Sequence, residues 1–429
     1  MTTYNQSAAD RRSPMLWVPT LYFAQGLPFF AVNLIAGLMY KSRGVSNDQI
    51  AWYTGLLGWV WVVKPLWSPL LETFRSKKLI VTIFQFAGGL SLGLCALMLP
   101  LPGYFYYTIA VLALTSVCAA THDIAADGLY MGSLSAKQQS AYAGWQGGFF
   151  NVARFFSQGG LVIVAGHLEK TVGVAQAWMV IFGAMGLIMV LVSLYHTWAL
   201  PGPGDPEPTR STKDVLSTLQ DVIATFFQKP RVWLYIGFII LFRAAEGQVT
   251  TIGPLFLRDA REAGGLGLST EDVGAVYGLG ATLAFILGSL GGGYFTSWLG
   301  LRRALFFLIC AMNLPNLAYV FLSSVQPTDK VVITAALSME MFGYGFGFVG
   351  LILFMMQEVA PGKYQTAHYS LATGVMQLGY VIFKMVSGTI QGYLGYRTFF
   401  IWVLLAAIPA LILSKLIPFR EGRPTEEPA

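Results

Sequence analysis

Between positions 15 and 418 the sequence returns repeatedly to apolar runs of about 20 residues or more. At 1.5 Å rise per residue, each run as a helix matches the hydrocarbon thickness of a bilayer. The runs fall near 15–40, 50–70, 79–100, 104–131, 140–165, 174–199, 231–257, 272–298, 303–322, 331–357, 365–390 and 393–418, numbered here as spans 1 to 12. Composition agrees: 55% of the residues are hydrophobic and only 11% charged, against roughly 25% in a soluble domain. A soluble enzyme, a nucleic-acid-binding module and a disordered scaffold are all disfavoured. The expected fold class is all-α integral membrane, with twelve transmembrane helices in two bundles of six.

The net charge of +6 invites a nucleic-acid reading until the basic residues are located. Sixteen of the 27 lysines and arginines lie in the termini and even-numbered gaps, and seven in the odd-numbered loops. Basic segments resist translocation, so this bias places both termini and the central linker in the cytoplasm. The first fourteen residues end in Arg11-Arg12 and lack an apolar core with a cleavage site, so positions 15–40 read as a retained span. Cys95, Cys118 and Cys310 each sit inside an apolar run without CxxC spacing, which argues against a disulfide framework or a zinc site.

One connection differs from the others. Positions 201–230 open with PGPGDPEP and carry an amphipathic stretch near 215–227. Such a segment belongs in water, and it divides the chain into residues 1–200, a cytoplasmic linker 201–230, and residues 231–429. The halves echo one another: Lys137-Gln-Gln-Ser-Ala141 opens span 5, and Lys363-Tyr-Gln-Thr-Ala367 opens span 11. Together with the six-linker-six layout, this supports two parallel repeats, as in major facilitator transporters. Small-xxx-small pairs such as Gly144/Gly148, Gly274/Gly278 and Gly288/Gly292 suit closely packed helices.

A charge in the hydrocarbon core costs about 2.5–3.5 kcal/mol on insertion scales, so each one requires a partner, a wet cavity or a task. Four cations fall within spans: Lys64, Arg154, Arg243 and Lys384; acids and a histidine join them at His122, Asp123, Asp127, Glu246 and Glu340. This mixture suits a wet central cavity for an anionic substrate. Arg154 lies near the middle of span 5, with Asn151, Ser157 and Gln158 on the same stripe. Its forked donors suit a carboxylate or phosphate; the structural alternative is an ion pair with Asp123 or another carboxylate. Lys384 has Gln377, Ser387 and Gln391 on its face, or else snorkels to the interface. Lys64 shares a face with Trp61, Trp67 and Ser68, which suits either substrate binding or cation–π packing.

Asp123 and Asp127 stand at i and i+4, one turn apart on span 4, beside His122. Two carboxylates in a low dielectric disfavour double ionisation, so one of them can carry a proton. Asp127 also has a gate reading, paired with Arg75 or Lys77. Arg243 and Glu246, at i and i+3, most simply neutralise each other. Glu340 has no cation nearby in sequence and is either a neutral buried acid or a proton carrier; Glu358 reads as an ordinary residue at a span end. Trp59, Trp145 and Tyr380 lie near mid-span where a ring could stack on a sugar.

Three segments carry a resemblance. Phe23-Ala-Gln-Gly-Leu-Pro28, Lys64-Pro-Leu-Trp-Ser-Pro-Leu70 and Thr121-His-Asp-Ile-Ala-Ala-Asp127 look like the F-A-[S]-G-L-P, F-K-x-L-W-S-P and S-Q-D-I-x-x-D segments of the AmpG family of muropeptide permeases. The resemblance implies a major facilitator protein of the bacterial inner membrane that imports anhydro-muropeptides, with the proton gradient as the expected energy source. It carries over Gln25, Gly26, Lys64, Trp67, Ser68, Asp123 and Asp127. His122 departs from the family's usual Gln, Pro65 follows the lysine, and the loop after span 8 keeps only a trace of the superfamily's G-x-x-x-D-R-x-G-R-R signature.

The resulting expectation is a proton-coupled importer working by alternating access. Lys64, Arg154, Lys384, Gln25, Asn151 and Gln377 would bind substrate; Asp123, Asp127, Glu340 and His122 would handle the proton; Arg243 and Glu246 would form a gate or structural pair. Partners are then a small anionic solute, protons and the bilayer, with no nucleic acid, cofactor or metal, and the chain is expected to be a monomer. The alternatives are a related transporter of acyl-coenzyme A or siderophores, an intramembrane enzyme, or a non-transporting scaffold. An enzyme would need a nucleophile or metal constellation, and no HExxH, GxSxG or paired histidine ligands occur.

Overall fold

The computed structural model describes residues 12–68, 71, 76–134, 136–202, 212–362, 364–417 and 419, and among them every regular element is helical. Among the described residues ten helices are long and apolar enough to cross a membrane: Pro14–Ser42, Lys77–Met98, Tyr104–Ser133, Trp145–Thr171, Val174–Ala199, Val232–Arg258, Thr270–Leu299, Leu301–Val325, Lys330–Val359 and Ala367–Leu416. Two corrections bring these to the expected twelve. Span 2 is Asn47–Val63 followed by a 3₁₀ turn at Lys64–Leu66, so its 17 helical residues fall just short of a full crossing by length alone. The 50-residue run Ala367–Leu416 is spans 11 and 12 joined at Gly395. There φ is 70° and ψ 166°, a conformation that glycine adopts far more readily than any residue with a side chain.

Within the first half, span 3 packs on spans 4 and 6, and span 1 packs on span 5. In the second half, span 10 packs on spans 8 and 9, and span 7 on span 11. The main contacts between the halves are span 2 on span 11 and span 5 on span 8. Those two pairs exchange if each span is shifted by six, the relation expected of parallel repeats about an axis along the membrane normal. The linker helix Thr212–Phe227 buries Val222 and Phe226, and its Thr225 hydroxyl lies 3.1 Å from His368 Nε2 at the start of span 11.

Four spans carry a wide π turn: Ala31–Ile35, Phe155–Leu161, Gly274–Ala281 and Met355–Val359. Two of them, in spans 5 and 8, lie against each other. Gly159 and Gly278 allow that contact, since a Cβ on Gly278 would collide with the Gln158 carbonyl. π turns leave backbone groups out of the regular ladder and recur where a helix is shaped for a task.

The end that carries the odd-numbered loops is bridged between halves. Lys41 pairs with Asp259 at 2.5 Å, and Lys170 with Glu271. Thr270 donates to Glu169 at 2.6 Å, Arg258 Nη2 donates to Ser42, and Asn47 Nδ2 donates to Gln391 at 2.9 Å. At the opposite end of span 5, Trp145 is exposed, and side chains added at Gly147 or Gly148 would meet open space.

Candidate functional site

Arg154 stands where span 5 enters its π turn and is 8% exposed. Its Nε donates to Gln158 Oε1 at 3.0 Å, one turn further on, which orients the guanidinium away from its own helix. The group then crosses into the second half: Nη2 contacts Met341 Sδ of span 10 at 3.8 Å, and Cζ lies 4.8 Å from the Phe285 ring of span 8. No carboxylate lies within ion-pair reach of it among the described residues. The pairing with Asp123 is therefore absent. Asp123 instead faces span 2, accepting from Trp61 Nε1 at 3.1 Å and lying 3.8 Å from Lys64 Nζ.

Lys64 keeps a quarter of its side chain exposed, while Asp123 beside it is nearly covered. The lysine stands where the regular helix of span 2 gives way to the 3₁₀ turn at Lys64–Leu66. Asp127, one turn along span 4, accepts from the Tyr22 hydroxyl of span 1 at 3.2 Å. Lys77 donates to the Gly128 carbonyl at 3.4 Å and so touches the neighbouring backbone rather than clamping Asp127. Arg75, the other gate partner considered, lies outside the described residues.

Lys384 does not snorkel. It is 1% exposed, donates to the Asn33 carbonyl of span 1 at 3.4 Å and lies 6.0 Å from the Tyr380 ring. Its acceptor belongs to the π turn of span 1, so an ammonium of the second half is held by the first. The rest of its stripe diverges: Ser387 bonds back to the Lys384 carbonyl, and Gln391 joins the closed end through Asn47. Arg243 and Glu246 form the expected buried ion pair, with Tyr344 also donating to Glu246. The Arg243 guanidinium sits over Tyr380 and Phe348, at 4.8 and 5.1 Å.

Glu340 is 4% exposed, and its Oε2 has no hydrogen-bond partner among the described residues. It lines a cavity of about 10 Å³ together with Glu246, Thr250, Asn313, Asn316 and Tyr344. That volume holds about one water and no sugar. Span 9 breaks into a 3₁₀ turn at Leu314–Asn316 beside it.

The remaining expected contacts divide. Gln25 Oε1 and Gln377 Nε2 are buried without partners among the described residues, as ligand-facing groups would be. Asn151 bonds back to the Gly147 carbonyl of its own helix. Of the three mid-span rings, Trp59 donates to Met385 Sδ across the halves, Trp145 stacks on Phe149 at 5.7 Å, and Tyr380 lies buried among the cations. Glu358, read as an ordinary end residue, is 8% exposed and sits in a π turn.

Several groups that build this centre carried no sequence signal of their own. Tyr344, Asn313 and Asn316 look like ordinary apolar-span residues until the fold brings them to Glu340. Gln85 and His196 lie alone in two different spans, and only packing joins them to His122, at 2.9 Å from Gln85. A lone buried amide or imidazole is the one hint the sequence offered, because a polar group in lipid needs a partner.

This arrangement, with twelve spans in two six-span halves and charges of both signs buried within each half, is that of a membrane transporter. The Major Facilitator Superfamily model matches residues 20–383, and the chain belongs to that family. Among characterised relatives it is similar to the anhydromuropeptide permease of Escherichia coli K12, 27% identical over 417 residues, covering 94% of this chain and 79% of the permease. Among solved structures, a bacterial homologue of the human lysosomal transporter Spinster, inward-facing and unoccupied, superposes with TM-score 0.72 at 13% identity, over 96% of this chain and 97% of the other. The nucleoside transporter NupG superposes with TM-score 0.68 at 16% identity, over 93% of this chain and 96% of the other.

Proposed function

We propose that the protein imports anhydro-muropeptides across the bacterial inner membrane by alternating access, drawing on the proton gradient. The observation that carries this reading is the full-length likeness to the Escherichia coli anhydromuropeptide permease. Three features of the site support it. Arg154, Lys64 and Lys384 stand toward the boundary between the halves and suit the carboxylates of a lactyl-peptide stem. Gln25 Oε1 and Gln377 Nε2, without partners among the described residues, offer an acceptor and a donor to sugar hydroxyls. Asp123, Asp127 and Glu340, with His122 adjoining, supply the acids on which a coupling proton would ride.

In this reading the termini and linker face the cytoplasm, following the distribution of basic residues. The bridged end is then periplasmic, and the conformation is closed toward the side from which substrate arrives. The alternation consists of breaking the Lys41–Asp259 and Arg258–Glu169 contacts while the opposite ends of the bundles approach. Both six-span bundles, residues 1–200 and 231–429, rock as units, and a single copy suffices.

The test is uptake of labelled N-acetylglucosamine–anhydro-N-acetylmuramyl peptide into proteoliposomes under an imposed pH gradient. Accumulation that collapses with the gradient is expected. Saturable binding of acyl-coenzyme A or a siderophore, with none of the muropeptide, would shift the substrate assignment. Turnover of a glycan in detergent, without any second compartment, would favour an enzyme.

A further inference from the structure

Inside the first half, four side chains from four spans form one continuous hydrogen-bonded chain. The Thr20 hydroxyl of span 1 lies 2.9 Å from His196 Nε2 of span 6. His196 Nδ1 lies 2.8 Å from Gln85 Oε1 of span 3, and Gln85 Nε2 lies 2.9 Å from His122 Nε2 of span 4. His122 Nδ1 has no hydrogen-bond partner among the described residues and stands 4.0 Å from Asp123 Oδ1. Gln85, His122 and His196 are at most 1% exposed, so no bulk water competes for these groups.

A primary amide has one acceptor end and one donor end, and this fixes the roles along the chain. With Gln85 Oε1 toward His196, that imidazole donates from Nδ1 and accepts from Thr20 at Nε2. With Gln85 Nε2 toward His122, that imidazole accepts at Nε2 and carries its proton on Nδ1, facing Asp123. Every donor then points toward Asp123, which matches an ionised carboxylate. Turning the Gln85 amide over reverses every role. His122 then donates from Nε2 and offers a bare Nδ1 to Asp123, which matches a protonated carboxyl.

We propose that His122, Gln85 and His196 form a relay that reads the protonation state of Asp123 and passes it to spans 3, 6 and 1. When Asp123 takes up one proton, its O–H donates to His122 Nδ1. Each imidazole gives up the proton on one nitrogen to a water molecule and takes one from water on the other during a local opening of the chain, so its proton count is unchanged; the Gln85 amide turns over, and Thr20 becomes the acceptor of His196 Nε2–H. The Thr20 hydrogen then goes to the Trp17 carbonyl, 3.2 Å away. One proton enters in total, and it resides on Asp123.

The groups facing Asp123 have complementary parts. From span 2, Lys64 and the Trp61 indole N–H face it. Asp127, one turn along its own helix, is bonded to Tyr22 of span 1. Span 3 contributes neutral Gln85 and, further along, Lys77 on the Gly128 carbonyl. A substrate carboxylate that draws Lys64 away from Asp123 would therefore favour proton uptake, and the relay would carry that event to three further spans.

The relay rests on the proton-coupling reading, yet its test needs no substrate. The chain has four histidines, so ¹⁵N-imidazole NMR of the full chain in nanodiscs can follow His122 and His196 separately, assigned by removing His167 and His368. Across the pH range in which an Asp123 carboxyl infrared band appears, identified by its loss in Asp123→Asn, both imidazoles should exchange tautomer with a common midpoint. In Gln85→Met only His122 should still respond. His196 unchanged while His122 exchanges, or neither imidazole changing, overturns the proposal in the intact chain even if the variant does not fold. Uptake that ignores a pH gradient while the tautomers still exchange would remove proton coupling and leave the relay standing.

Discussion

Lys41 at the end of span 1 and Asp259 just beyond span 7 hold the two halves together at 2.5 Å. Asn47 and Tyr396 also donate to the same carboxylate, so three spans converge on one acid. The Lys41 and Asp259 side chains are 13% and 21% exposed, shielded enough for the pair to matter and wet enough to separate. Asp259→Asn should cost the closed state about 1 kcal/mol, a roughly fivefold change in population. A single cysteine at Asn33, about 12 Å deeper along span 1 at 1.5 Å per residue, would report it. Its labelling by an impermeant maleimide from the odd-loop side should speed up several-fold, and unchanged labelling would mean that this contact does not hold the end shut.

Arg154 has no carboxylate within ion-pair reach among the described residues. Its Nε is committed to Gln158, while Nη2 meets the Met341 thioether and Cζ lies over the Phe285 ring. Arg154→Gln should weaken muropeptide binding about 10- to 150-fold, the worth of one charge-assisted hydrogen bond of about 1.5–3 kcal/mol. Arg154→Lys should recover only part of that loss, since a point charge cannot reproduce the fork. Isothermal titration on the purified protein measures both; equal affinity in all three proteins would take Arg154 out of the binding site.

Much of this was legible in the chain itself, and the reasons differ by feature. The spans were visible because lipid demands an apolar residue at nearly every position of a crossing helix, as from 174 to 199. Span 2 and the joint at Gly395 show the limit: the 3₁₀ turn at Lys64–Leu66 and the single positive φ are local events that leave hydropathy unchanged. Charges in lipid were equally visible, and Arg243 with Glu246 paired as their spacing implied. Partners across spans were not. Asp123 meets Lys64 rather than Arg154, and Lys384 meets the Asn33 carbonyl, because helix rotation and depth are set by side-chain packing that no periodicity records. The π turns were invisible for the same reason.

The contact between spans 5 and 8 tests whether close approach at mid-bundle is required. The Gln158 carbonyl occupies the place that a Cβ on Gly278 would need, so Gly278→Ala should separate the π turns or strain them. Overpacking of this kind costs about 1–3 kcal/mol. The thermal midpoint in detergent should fall and uptake should fall with it. Gly293→Ala, on the same span with open space around it, is the matched control. It should be neutral or slightly stabilising, because alanine is the better helix former by about 1 kcal/mol. Equal midpoints for the two variants would show that the bundles tolerate a wider crossing.

Glu340 differs from its neighbour Glu246, because its Oε2 meets no donor among the described residues while Glu246, across the same small cavity, is held by Arg243 and Tyr344. An unpaired carboxylate is costly in such a place, whereas a protonated one is tolerated, so a change of charge at Glu340 would alter the energy of this half more than at a paired site. Glu340→Gln fixes the neutral form with little change of shape. Exchange of labelled for unlabelled substrate across the membrane needs no net proton movement and should persist near the unmodified rate. Accumulation against a gradient, driven by an imposed pH difference, should be lost. If accumulation survives in Glu340→Gln and disappears in Asp123→Asn, the coupling proton rides in the first half and Glu340 is a structural acid; if both variants accumulate, neither acid carries it.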